Sequence, residues 1–169
     1  SMPKIAYSRV LLKLSGEALQ GGKATAAIDA GIVDRIATEL AELNTLGVEV
    51  GLVIGGGNFF RGATLSTLGI DRVTADQMGM VCTIVNALAL LEALEKNQVL
   101  TTIMSAIPMS GIVDHYDRRR AIHHLQEKRV VIFAGGTGNP LVTTDSAASL
   151  RSIEIQAKIL LKATNVDGI

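Results

Sequence analysis

Short aliphatic runs that stop at glycine alternate along this chain with stretches whose apolar residues recur at helical intervals, and this alternation constrains the fold more than any other feature. Residues 10–14 form the first run, halted by Ser15 and Gly16. From Asp29 the spacing changes: Ile32, Ile36, Leu40 and Leu43 recur with Asp34, Arg35, Glu39 and Glu42 between them, and Gly47 supplies a C-terminal stop. A second strand over 48–54 runs into Gly55, Gly56 and Gly57, and a long helical pattern covers 74–95. Further strands are predicted over 99–104, 130–134 and 159–163, with helices over 118–127 and 146–157 between them. Strands joined by helical crossovers predict a three-layer α/β/α sandwich with a mostly parallel central sheet, and such sheets bind ligands beyond the carboxyl ends of their strands. Function is therefore expected in the loops that follow strands.

With 169 residues, 48% of them hydrophobic, the chain can bury one full core and is too short for two comfortable domains, so a single α/β domain over 1–169 is expected. Sixteen basic and sixteen acidic side chains cancel, which leaves no net field to draw nucleic acid or an acidic membrane, so phosphate binding must rest on local charge. A single cysteine, Cys82, builds neither a disulfide framework nor a Cys-based metal site within one chain and fits a reducing cytoplasm. No apolar stretch is expected to span a bilayer, no signal peptide is evident, and Ser1 ahead of Met2 reads as an added residue. In the 74–95 helix, Met78, Val81, Cys82, Val85, Leu88, Leu91 and Leu94 form one apolar stripe, and Met80, Ile84 and Leu90 widen it beyond what contact with one sheet requires. That breadth points to a subunit interface or to a helix wholly buried in one subunit.

Three strand ends carry glycine: Lys13-Leu14-Ser15-Gly16, Gly55-Gly56-Gly57-Asn58-Phe59-Phe60-Arg61-Gly62, and Gly135-Gly136-Thr137-Gly138-Asn139-Pro140. Glycine brings backbone N–H groups close to an anion, and a following helix N-terminus adds a favourable dipole. One such cluster is commonly just a tight turn, but three at successive strand ends favour phosphate. Neither G-x-x-x-x-G-K-[ST] nor G-x-G-x-x-G with an acidic residue at the next strand end is present, which weakens P-loop and dinucleotide readings. Lys13 lies among aliphatic residues, where an ammonium is costly to bury unless its tip emerges at the strand end beside an anion. The alternative is a lysine that snorkels from an edge strand.

Thr143, Thr144, Asp145 and Ser146 read as a helix N-cap whose hydroxyls and N–H groups could also hold ligand oxygens. Asp145 stands out, since a carboxylate at a strand-to-helix junction could orient Lys13 or help position magnesium in phosphoryl transfer. Arg61 and Asp76 are ambiguous in isolation. His115, His123 and His124 match no metal-ligand spacing and, with Asp117 and the arginines after it, read as solvated surface. With three Phe and two Tyr in the chain, stacking on nucleic acid is not expected.

Taken together, LLKLSGEAL, VIGGGNFFRG, the run Asp76-Gln77-Met78-Gly79-Met80, MSAIP, GTGNPLVTTDSAA and LKATNVDG resemble the bacterial UMP kinases of the amino-acid-kinase superfamily, in the family's order and across essentially the whole chain. The resemblance implies transfer of the γ-phosphoryl of ATP to UMP, giving UDP in pyrimidine nucleotide (CTP) biosynthesis, with Mg2+ accompanying ATP. It implies an ATP site at Lys13, Leu14, Ser15, Gly16, Gly57, Arg61 and Thr164. It implies a UMP site at Gly56, Asp76, Thr137, Gly138, Asn139, Pro140, Leu141, Val142, Thr143 and Thr144. Lys13 and Asp145 become the expected catalytic pair, with no dedicated protein metal site. A cytoplasmic homohexamer with UTP as feedback inhibitor is implied as well. Two departures limit the transfer. Residues 23–29 replace the family's GxGFGID stretch associated with GTP activation, and relatives continue past Ile169 into further ATP-binding elements.

Overall fold

A computed structural model describes residues 8–21, 28–59 and 67–163. Six strands form one sheet: β1 (Arg9–Leu14), β2 (Glu49–Ile54), β3 (Thr101–Ser105), β4 (Asp114–His115), β5 (Val130–Ala134) and β6 (Ile159–Ala163), in the order β4-β3-β5-β2-β1-β6. Every ladder in this sheet is parallel. The crossovers carry α1 (Ala30–Thr45), α2 (Arg72–Lys96), α3 (Arg118–Gln126) and α4 (Thr144–Glu154), and a 3-10 turn (Gly16–Leu19) follows β1. The expected α/β architecture is therefore present. The two-residue edge strand β4 and the 3-10 turn had no signal in the periodicity.

Strand alternation divides the core into two layers. Val10 and Leu14 of β1, Val50, Leu52 and Ile54 of β2, and Val130 and Ile132 of β5 face α1 and α2, where Val33, Ala37, Leu40, Ile84, Leu90 and Leu94 meet them. Leu11, Val53, Val131 and Phe133 point the other way, against Ala121 and Leu125 of α3 and Ala147 and Ala148 of α4. Each fully buried leucine or isoleucine contributes about 1.5–3 kcal/mol relative to exposure, so Leu11, Leu52, Leu90 and Ile132 anchor the three layers. Because Lys13 lies two residues after Leu11, it shares the α4 face and not the α1 face.

Helix starts follow their caps. The Asp29 side chain accepts from the Ile32 N–H at 3.0 Å, Asp117 from Arg120 at 2.9 Å, and Thr143 from Ser146 at 3.1 Å, each satisfying an otherwise orphaned donor. Helix α1 ends at Thr45, and Gly47, two residues on with a φ of +85°, supplies the expected glycine stop.

The long helix α2 corrects two expectations. Its mean hydropathy reaches 1.6, enough by length and composition to cross a membrane. In the fold, however, it is a core helix, with Ile84, Ala87, Leu90 and Leu94 buried against the sheet layer. It is also not wholly buried: Val81, Val85 and Leu88 remain 45%, 44% and 38% exposed along one stripe.

Candidate active site

The glycine loops come together because β5, β2, β1 and β6 are neighbours in the sheet. Connections leaving β2 and β5 go to opposite faces, to α2 and α4 respectively. Adjacent parallel strands whose connections diverge in this way open a crevice beyond their carboxyl ends. A cavity of about 270 Å³ lies there, at the small end of ligand pockets and suited to one small molecule.

Gly56 and Gly57 from the β2 loop, Asp76 from α2, and Thr137, Asn139, Pro140, Val142, Thr143 and Thr144 from the β5–α4 connection line this cavity. Of the remaining residues named from the resemblance, Gly138 closes the turn, donating its N–H to the Gly135 carbonyl at 3.0 Å with φ +81°. Leu141 points outward, while its N–H donates to Asp76 Oδ2 at 2.8 Å with φ +73°. The Asp76 carboxylate thus holds the rim of the cavity.

On the β1 side, the backbone is packed too closely for side chains. A Cβ on Gly16 would stand 2.5 Å from the Gly55 carbonyl oxygen and closer still to the Gly57 nitrogen, and one on Gly56 would meet the Gly79 carbonyl of α2 at 2.6 Å. Leu14 is buried, its carbonyl accepting from Gly55, and the Ser15 carbonyl starts the 3-10 turn by accepting from Ala18. Gly57 takes φ +74°. Arg61 and Thr164 lie outside the described residues, as do residues 23–27 of the region compared for GTP activation.

Lys13 Nζ stands 3.2 Å from Asp145 Oδ1, so the strand-end ammonium reaches the carboxylate at the start of α4. The other carboxylate oxygen accepts from Lys162 Nζ at 3.1 Å. Lys162 is the register partner of Lys13 across the β1–β6 ladder, so both ammoniums emerge side by side from one sheet face. Hydrogen bonds from Lys162 and Lys13, reinforced by their charges, hold the Asp145 carboxyl below its ordinary pKa. Two cations against one half-exposed anion leave a local surplus of positive charge at the strand ends. Such a surplus, next to backbone N–H groups, stabilises a phosphoryl group in transfer.

Three contributors were absent from the sequence reading. Lys162 interrupts Leu160-Leu161-Lys162-Ala163 as Lys13 interrupts Leu11-Leu12-Lys13-Leu14, a repetition that was the available signal. Thr83 and Asn86 are polar residues on the buried side of α2. Thr83 Oγ1 accepts from the Gly135 N–H at 2.7 Å, and Asn86 Nδ2 donates to the Gly55 carbonyl at 2.9 Å, so one helix pins both glycine loops. His124 corrects the expectation of a solvated histidine: both ring nitrogens are buried, with no hydrogen-bond partner among the described residues. Among the described residues no three His, Cys, Asp or Glu side chains gather as metal ligands.

A parallel α/β sheet with glycine loops at its switch point and paired lysines on the neighbouring strands β1 and β6 fits a phosphoryl-transfer scaffold, and the chain belongs to the amino acid kinase family, whose sequence model matches residues 8–169. Within that family it is similar to the uridylate kinases. It is 60% identical to "Uridylate kinase" of Coxiella burnetii over 167 residues, covering 99% of this chain and 68% of the relative. It is likewise 60% identical to that of Stutzerimonas stutzeri, covering 96% of this chain and 66% of the relative. The crystal structure of UMP kinase from Bacillus anthracis superposes with a TM-score of 0.89 at 42% identity, covering 96% of this chain and 67% of that one. A structure of isopentenyl phosphate kinase shares the fold, with a TM-score of 0.67 at 18% identity. The chain thus spans about two thirds of the length of these uridylate kinases.

Proposed function

We propose that this chain carries the UMP site and the phosphoryl-transfer lysines of an ATP-dependent UMP kinase. The observation that carries the reading is the Asp145 carboxylate held between Lys13 and Lys162 beside a cavity walled by two glycine loops. A phosphate oxygen of UMP attacks the γ-phosphorus of ATP, the bond from that phosphorus to the β–γ bridging oxygen breaks, and UDP and ADP leave. No covalent intermediate with the protein is needed, because positioning and charge stabilisation carry this reaction. Lys13 and Lys162 hold positive charge where the transferring group becomes most anionic, and Asp145 keeps their tips from splaying apart.

Magnesium fits this arrangement as a companion of the ATP phosphates. Among the described residues no carboxylate cluster offers a cage, and both oxygens of Asp145 are engaged by lysines, so the phosphates themselves would supply most of the ion's ligands. When bound, the ion neutralises charge on the β- and γ-phosphates. Donors and acceptors from the Thr137–Thr144 connection favour uracil by penalising bases that leave them unpaired. UTP, which shares that base and ribose, competes at the same cavity as a feedback inhibitor.

The exposed Val81, Val85 and Leu88 stripe on α2 supports association with further copies of the chain, up to the hexamer implied by the resemblance. The reaction belongs in the cytoplasm, supplying UDP for pyrimidine nucleotide synthesis. The reading is tested by following ADP formation from magnesium-ATP with UMP, CMP, carbamate or acetylglutamate as acceptor. UMP-selective turnover supports it, and turnover of a carboxylate or carbamate in place of UMP refutes it.

A further inference from the structure

Among the described residues Arg151 is the only charged side chain buried as far as 5% exposure. From α4 its guanidinium reaches three parts of the fold. Nη1 donates to Glu154 Oε1 at 2.6 Å, Nη2 donates to the Gly136 carbonyl at 3.3 Å, and the guanidinium carbon lies 3.8 Å from the centre of the Tyr116 ring. The same Glu154 oxygen accepts from the Tyr116 hydroxyl at 3.0 Å, and the Tyr116 ring stands edge-on to Phe133. Burial and the Glu154 contact push the Tyr116 hydroxyl up to about 12, so it stays a donor at any physiological pH.

A buried ion pair of this kind is a weak source of net stability, because desolvation offsets much of its attraction. Its geometric effect is more specific. In a planar trans peptide the carbonyl of one residue and the N–H of the next point in opposite directions. Drawing the Gly136 carbonyl toward Arg151 therefore turns the Thr137 N–H away from the guanidinium, and both Gly136 and Thr137 wall the cavity. The rest of the loop is already committed: the Gly135 N–H donates to Thr83 and the Gly135 carbonyl accepts from Gly138. The Gly136 and Thr137 N–H groups, by contrast, meet no acceptor among the described residues. A lysine cannot replace this arrangement, since only a planar fork serves a carboxylate, a carbonyl and a ring face together.

We propose that Arg151 is a positioning residue for the nucleotide site: it fixes the Gly136–Thr137 peptide so that the Thr137 N–H donates to an oxygen of bound UMP. The proposal rests on reading the cavity as the UMP site. It is tested by calorimetric titration of the protein and of Arg151→Lys with UMP and with magnesium-ATP, while the 15N-labelled Thr137 amide is followed. The expected result is a UMP dissociation constant weakened roughly tenfold, as for loss of one hydrogen bond to the ligand, with ATP affinity unchanged. The Thr137 amide should move on UMP addition in the unmodified protein and move less in the variant. A folded variant with a lower melting temperature but unaltered UMP affinity would show Arg151 to be merely structural. If Arg151→Lys does not fold, the unmodified protein still decides: a Thr137 amide that stays put while other cavity amides respond overturns the inference. Absence of any UMP binding by the unmodified protein would overturn the reading of the cavity itself.

Discussion

Lys13 and Lys162 are direct neighbours across the β1–β6 ladder, and Asp145 accepts from both, one oxygen to each. Neither lysine is a solitary snorkelling side chain. Each ammonium is held at a strand end by a shared carboxylate that a phosphoryl group can displace or complement. Asp145→Asn should therefore lower kcat on the order of 10²-fold while UMP affinity changes little, because a neutral amide no longer restrains two cations. Steady-state kinetics with a separate UMP titration would check this, and a change confined to KM for UMP would contradict it.

The same pairing sets a pH dependence. Hydrogen bonds from Lys162 and Lys13 depress the folded-state pKa of Asp145, so its contribution to stability is present above the unfolded carboxylate value, 3.8, and is lost as pH falls through the lower folded value. Carbon-detected NMR titration should place the Asp145 midpoint below that of an unpaired aspartate. A midpoint at or above 3.8 would mean the lysines are not engaged in solution.

His124 works in the opposite pH region. Burial first, then Arg129 and Arg120, lower its pKa below 6.5 despite Glu127 and Asp114 nearby. The unfolded chain thus binds a proton more readily, so this contribution to stability is full above 6.5 and is lost as pH falls through the folded value. Replacing His124 with leucine should flatten the fall in urea midpoint between pH 7 and pH 5. An unchanged slope would assign the acid sensitivity to other groups.

Gly16→Ala should be severely destabilising. The new methyl would collide with backbone of the Gly55–Gly57 loop, which cannot move aside as a flexible side chain can. A cost of roughly 3 kcal/mol or more is expected, at the upper end for overpacking. Urea denaturation measures it, and a loss under about 1 kcal/mol would mean the two loops are not in contact.

Val85→Glu places a carboxylate in the exposed apolar stripe of α2. If that stripe is the contact between copies, the variant should be smaller in solution than the unmodified protein by light scattering, with its circular dichroism unchanged. An unaltered mass would place the contact elsewhere.

Strands and helices were legible where one physical pattern dominates a whole segment, as in residues 130–134 and 159–163, whose bounds match β5 and β6. The edge strand β4 was not, because two residues carry no period. Lys13 stood out because it interrupts an aliphatic run, and Asp145 because it is a carboxylate at a strand-to-helix junction. Lys162 breaks its own pattern identically, but its meaning depends on β6 lying beside β1, a pairing that residues 149 positions apart in the ladder (Lys13 and Lys162) do not announce. Thr83 and Asn86 were hidden by the apolar run around them. Arg151 was hidden because its partners come from Tyr116 and Gly136, far upstream in the chain. Residues unusual within their own segment are legible in the sequence, whereas those whose role is created by packing between segments are not.

The two strand-end lysines are expected to act on the transferring phosphoryl group and not on acceptor binding. The most direct measurement is single-turnover phosphoryl transfer from magnesium-ATP to UMP by Lys13→Ala and Lys162→Ala, alongside their UMP dissociation constants. The expected result is a rate lowered on the order of 10²-fold or more in each variant with UMP affinity nearly kept. An unchanged rate in either variant, or a loss that appears only as weaker UMP binding, would contradict it.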